Sequence, residues 1–365
     1  MRSRLPSLPL AIGLVAAGTT LFSAVDACAQ STSGRVMPRT PAGHPDLQGN
    51  WTNATLTPIQ RPEGQGRVLT PEQVAAIEGE REAFIEEGYA DSDPDREAPA
   101  AGGEYTGNAL FDAASGGTGG YNYFYIDAGD RVAVYDGEAR SSLVVLPENG
   151  LIPPLTPQAR QRRRAAFARS QQLGEYSNPE SRPLGERCVM SFGSNAGPPM
   201  LPNYFYNNNY TIVQTPDHIV IMTEMVHDVR IIPLMDGPPP PSDLYPWMGR
   251  SWGRWDGDTL VVETTNINPA QLNGYQYQFP GGSANFKVTE RFTRADASTI
   301  NYQFTVEDPD TYTSAWSGEV PFKAMGDLVY EYACQEGNYG LANVLKGARA
   351  EEREAAKAKK DPEER

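Results

Sequence analysis

The chain has 365 residues, 39% hydrophobic and 21% charged, with a formal net charge of −15. That length suffices for one large domain or two small ones. The surplus of carboxylates argues against nucleic acid and anionic membrane surfaces, whose phosphates would be repelled, and favours solubility and cationic partners.

Residues 1–29 read as a secretory signal. Arg2 and Arg4 form a basic start, Leu8–Val25 an interrupted apolar core, and Ala27-Cys28-Ala29 a small-x-small cleavage site. The alternatives are a membrane anchor, which the polar interruptions disfavour, and lipid attachment at Cys28, for which Asp26 is a poor neighbour. Cleavage would leave 29 basic and 45 acidic residues, a net charge of −16. Two cysteines would remain, Cys188 and Cys334, and an oxidising compartment predicts that they pair.

Residues 30–44 read as a flexible segment, 45–340 as one β domain with inserted helices and loops, and 341–365 as a charged helix and tail. A turn and short strand are expected over Pro45–Thr55. Thr70-Pro71-Glu72-Gln73 supplies an N-cap, a proline at N1 and a capping box, so a helix follows and Gly88 can end it. Asp91–Gly120 reads as a loop, and Tyr121–Ile126 and Ser142–Leu146 as strands. A second helix runs from Thr156-Pro157 to near Gly174. Its Arg160, Arg162, Arg163, Arg164 and Arg169 form a basic run, read as a solvated or internally paired face.

From Tyr210 the chain becomes a series of strands and tight turns. Tyr210–Gln214 and His218–Met225 flank Thr215-Pro216-Asp217. Gly249–Trp255 and Thr259–Asn266 flank Asp256-Gly257-Asp258. Phe286–Thr293 and Ile300–Glu307 flank a polar turn. This spacing predicts an antiparallel sandwich or barrel, and barrels of this kind can hold a small ligand inside.

His44, His218 and His227 do not pair at metal-ligand spacing, so no metal is expected, nor any cofactor. Asp91-Ser92-Asp93-Pro94-Asp95 begins like a calcium loop but lacks the later glycine and glutamate. Gly249-Arg250-Ser251-Trp252-Gly253 matches G-x-S-x-G, yet a hairpin rather than a helix follows, and every histidine precedes Ser251. The densest ionisable run is Glu224-Met225-Val226-His227-Asp228-Val229-Arg230. A continuous strand would put Glu224, Asp228 and Arg230 on one face. A turn at Val226–Asp228 would instead set His227 at a strand end, as general acid or base oriented by Asp228, with Glu224 paired to a charge such as Arg230. The alternative is a structural ion pair beside a surface histidine.

Glu290 shares parity with Phe286, Val288 and Phe292 and should face inward. It is expected either as an acid in a cavity or in a salt bridge to an arginine such as Arg254. Trp255, Tyr302, Phe304, Trp252 and Trp316 either pack a core or line a pocket.

Gly49-Asn50-Trp51 resembles the G-x-W start of lipocalin-type barrels. Longer stretches resemble an uncharacterised family of secreted bacterial proteins: Pro45–Asn53, Ile152–Pro157, Ile221–Leu234, Trp255–Asn266 and Tyr330–Tyr339. That resemblance implies membership and assigns no reaction. The family pattern often has histidines where Arg254 stands and near Pro240, and this chain lacks both.

The sequence thus predicts a mainly β, antiparallel, lipocalin-like barrel with two or three inserted helices. Its expected role is binding a small, partly apolar molecule in the periplasm or outside the cell, through Glu290, Trp255, Arg254 and Tyr302. The alternatives are an acid–base enzyme using His227, Asp228, Glu224 and Arg230, and a structural or assembly protein of the envelope.

Overall fold

The described strands form one curved antiparallel sheet and a separate two-stranded hairpin. The computed structural model describes residues 37–89, 91, 95, 127–191, 196–203, 206–272 and 282–360, except the side chains of 87, 88, 170, 227, 359 and 360. The signal at 1–29, Cys28, the strand expected at Tyr121–Ile126 and most of the calcium-like run lie outside the described residues. No described helix is long and apolar enough to cross a membrane.

The strands are β1 (Gly49–Thr52), β2 (Val134–Tyr135), β3 (Glu138–Ala139), β4 (Val144–Leu146), β5 (Asn209–Gln214), β6 (His218–Thr223), β7 (Val229–Pro233), β8 (Arg250–Asp256), β9 (Thr259–Thr265), β10 (Lys287–Arg294), β11 (Thr299–Glu307) and β12 (Trp316–Ala324). The barrel order is β7-β6-β5-β1-β12-β11-β10-β9-β8, and β4 pairs with β12 beside this path. Two meanders, β5–β7 and β8–β12, are joined through β1, which pairs with β5 on one side and β12 on the other.

The barrel is nearly closed. Nine strands that alternate in direction bring the two end strands together parallel. β7 and β8 meet that way, at the single bridge Leu234–Gly253, with Met235 N–H donating to the Gly253 carbonyl at 2.9 Å.

Inward residues form a continuous core. Tyr210, Ile212, Ile221, Phe292, Phe304 and Phe322 are all at most 2% exposed. The Tyr302 ring lies 4.9 Å from that of Phe292 and 5.2 Å from that of Phe322. The aromatic layer therefore packs across the middle of the barrel. Trp51 closes one end at 1% exposure, with the Arg294 guanidinium 4.9 Å over its ring.

The helices are α1 (Pro71–Tyr89), α2 (Pro157–Leu173), α3 (Pro269–Leu272) and α4 (Tyr339–Lys360). At α1 the capping box is formed: Thr70 N–H donates to Gln73 Oε1 at 2.9 Å, and Gln73 N–H to Thr70 Oγ1 at 3.3 Å. Gly88 does not end the helix, which runs on to Tyr89. Thr156 caps α2 by accepting from Ala159 N–H, and Gly174 ends it at φ 76°. The β2–β3 hairpin turns at Asp136-Gly137, both at positive φ. It docks on the outside of β12 through Arg140, which is 2.8 Å from Glu319.

Candidate functional site

Inside the barrel, β7, β10 and β11 each contribute one polar side chain at neighbouring positions. Arg230 and Glu290 form an ion pair whose side chains are 2% and 0% exposed. Arg230 Nη1 donates to Glu290 Oε1 at 3.0 Å, and Nη2 donates to Oε2. The Tyr302 hydroxyl donates to Oε1 at 2.9 Å and accepts from Met200 N–H at 2.9 Å. Arg230 Nη2 also reaches Thr264 Oγ1 at 3.2 Å and Ser251 Oγ at 3.3 Å. Those two hydroxyls lie 2.8 Å apart. Buried charges survive only when paired and hydrogen-bonded, and this network supplies both conditions. Burial, and then the Glu290 carboxylate, raise the Tyr302 phenol well above its ordinary range, so it remains a neutral donor.

Glu290 is therefore inward and paired, as its parity required. Its partner is Arg230, not Arg254. Arg254 points outward from β8, where Nη1 is 3.5 Å from Glu263 and the side chain is 46% exposed. Glu224 does not pair with Arg230 either: its carboxylate accepts from Asn209 Nδ2 at 2.7 Å. Trp255 sits farther along β8, half-buried and stacked on His44, with ring centroids 4.5 Å apart and planes 4° off parallel. Tyr302, Phe304, Trp252 and Trp316 are all buried.

The run 224–230 is broken by a turn, not continuous. A short 3-10 turn over Met225–His227 joins β6 to β7, and Val226 takes φ 60°, ψ 14°. That left-handed geometry is costly for a β-branched residue, by about 1–3 kcal/mol. Asp228 leaves the turn and accepts from Ser191 N–H at 3.1 Å. The His227 side chain lies outside the described residues.

Beside this turn, the seam between β7 and β8 opens into a cleft of about 410 Å³. Three separated segments line it: Cys188 and Val189; Val226 with residues 228–231; and residues 246–249 with Ser251. Its polar groups are Asp228, Arg230 and Ser251, and Val189, Val226, Pro246, Trp247 and Met248 give it an apolar wall. Arg230 thus belongs both to the cleft and to the interior network, while Glu290, Tyr302, Arg254 and Trp255 do not line the cleft. Five non-glycine residues among those described have positive φ, and two of them, Cys188 and Val226, line this cleft. Backbone held in such conformations concentrates at functional sites.

One wall is tied down covalently. Cys188 and Cys334 form a disulfide, with Cα atoms 5.7 Å apart. Asn338 Nδ2 donates to the Glu186 carbonyl at 2.9 Å beside it, so the segment leading into α4 braces the rim.

Ser251, Trp247, Met248 and Val189 are site residues that sequence reasoning missed. Ser251 sat in a G-x-S-x-G match, but as the structure places it on a strand ahead of a hairpin, it serves in hydrogen bonding within this network. Comparison with known proteins gives no assignment: no family model matches the chain, and no curated protein matches it.

Proposed function

We propose that the protein binds a small, partly apolar molecule in the seam cleft between β7 and β8. The observation that carries this reading is the cleft itself: an apolar wall around Trp247 and Met248, facing a floor of fixed polar groups at Arg230 and Ser251. Ligand sites commonly join a largely apolar lining to a few positioned polar groups. Glu224 and Arg230 are held by structural partners, so binding, rather than proton transfer, is the role this arrangement supports. Export of the chain belongs to the same proposal, supported by the Cys188–Cys334 disulfide and by the signal-like residues 1–29. So does membership of the secreted bacterial family, one of whose resembling stretches, Ile221–Leu234, contains β7 on one side of the seam.

The test is fluorescence titration with the neutral apolar dye N-phenyl-1-naphthylamine. Saturable binding to the native protein is expected, weakened about tenfold or more by Trp247→Ala, a change of about 1.4 kcal/mol. Binding that ignores both Trp247→Ala and Met248→Ala would place the dye elsewhere and remove the proposal.

A further inference from the structure

We infer that the ligand of this cleft is a short extended peptide, which adds a tenth strand between β7 and β8. The inference rests on the binding role proposed for the cleft and specifies its ligand.

The backbone carries the argument. In the β6–β7 ladder, Thr223 N–H donates to the Asp228 carbonyl and Leu234 N–H to the Asp217 carbonyl. These fall in the β6–β7 register, so the even-numbered residues of β7 bond to β6. The odd-numbered residues point their N–H and C=O groups the other way, as Met235 N–H bonding to Gly253 confirms. Val229 and Ile231 therefore turn their peptide groups toward the seam. On β8, Gly253 faces the seam and residues alternate, so Ser251 does too. Beyond the Leu234–Gly253 bridge, no described backbone hydrogen bond crosses between β7 and β8. The cleft thus lies between two strand edges with peptide groups directed into it.

Strand direction fits the same occupant. β7 and β8 run parallel because nine alternating strands must end that way. One strand antiparallel to both would complete ten alternating strands and pair with each edge. Extended peptides add to open sheet edges in this manner, with backbone bonds giving affinity and alternate side chains giving selectivity. Edge strands are usually protected by charge, proline or a cover. Here Val229 and Ile231 are 42% and 65% exposed, and the proline of β7, Pro233, lies at the bridged end.

The surroundings define the peptide. Its inward side chains would sit over Arg230 and Ser251, which suits small polar residues such as threonine. Its outward side chains would lie beside Val229 and Ile231, which suits valine or isoleucine. The Arg230 charge is already balanced by Glu290, and the chain as a whole carries a net charge of −15. A neutral or basic peptide therefore fits better than an acidic one.

The test uses the full-length protein, calorimetry and the peptide acetyl-Lys-Thr-Val-Thr-Val-Lys-amide. Two variants of the peptide are N-methylated at alternate residues, one on each edge. Insertion between two strands predicts binding of the parent peptide and a loss of affinity of about tenfold or more for both methylated forms. It also predicts slower amide exchange at Val229, Ile231 and Ser251 by about tenfold or more. Ile231→Pro should weaken the parent peptide by removing a seam-facing donor without touching the β6 ladder. Equal binding of all three peptides, or loss with only one methylated form, would overturn the tenth strand. Failure of the parent peptide while the neutral dye still binds would overturn the peptide inference alone. Failure of both would overturn the cleft as a binding site.

Discussion

Replacing Glu290 by alanine should be among the most damaging single changes in the barrel. The substitution strands the Arg230 guanidinium, whose side chain is 2% exposed, at a cost of about 3–5 kcal/mol for breaking a buried pair. It also removes the acceptor of the Tyr302 hydroxyl, about 1 kcal/mol more. The expected loss is about 4–6 kcal/mol, a large fraction of the stability of an ordinary domain. In urea unfolding with the disulfide intact, a slope of about 3 kcal/mol/M would turn this into a midpoint shift of about 1.3–2 M. Removing both charges with Arg230→Met and Glu290→Leu should cost less than either single loss of a charge, because no uncompensated ion remains. The reasoning fails if Glu290→Ala costs below about 1 kcal/mol at unchanged slope. It fails equally if the double variant loses the sum of the two single charge removals, since coupled partners are not additive.

Tyr302→Phe removes one donor and one acceptor from the same network and should cost about 1–3 kcal/mol by chemical denaturation. The native Tyr302 phenol ionises well above its ordinary value near 10, so the stability linked to it is intact below pH 10 and is lost as pH rises past 10 toward the native value. The phenylalanine variant should show a shallower alkaline decline, and an identical slope would count against this linkage. Reducing the disulfide, which spans a sequence separation of 146, should lower stability by about 5 kcal/mol in the chain-entropy account; unfolding curves of the Cys188→Ala/Cys334→Ala protein measure it. Gly318→Ala would set a methyl 2.3 Å from the Phe304 ring and 2.9 Å from the Leu143 carbonyl. It should cost about 1–3 kcal/mol, partly recovered by Phe304→Leu; a neutral effect on the melting temperature would show that this contact is not tight.

Local chemistry was legible in the sequence wherever it acts over a few residues. Thr70 and Thr156 announced their helices because caps are short-range. The hairpins β5–β6, β8–β9 and β10–β11 followed from alternation and turn residues, and Glu290 from parity within one strand. β12 has no counterpart among the predicted strands, and it carries Gly318 and Pro321, residue types that weaken or interrupt a ladder. The structure shows why proline is tolerated. Glu319 N–H and Met325 N–H both point to the β4 and β1 side, bonding to the Leu143 and Asn50 carbonyls. By alternation the nitrogen of Pro321 points that way too, between the end of the β4 pairing and the start of the β1 pairing, where no ladder donor is needed. Choosing Arg230 over Arg254 as the partner of Glu290 was beyond local pattern. Arg230 and Glu290 lie 60 residues apart and meet only because the sheet curls until β7 reaches β8. The cleft is harder still to foresee, because its three lining segments converge only through that closure and the disulfide.

The position of β1 has a consequence for how the chain acquires its shape. This four-residue strand emerges first of the barrel strands, yet its two neighbours are β5 and β12. Contacts between residues so distant in sequence are slow to form, because a long loop must close before they contribute. The meander β5–β7 and most of the meander β8–β12 can assemble from neighbouring hairpins while β1 waits. Until residues 323 and 324 are available to pair with Thr52 and Trp51, β1 can join only β5, and the two halves are unjoined. A chain truncated shortly before β12 should therefore accumulate as open meanders prone to pairing with one another, rather than as a smaller barrel.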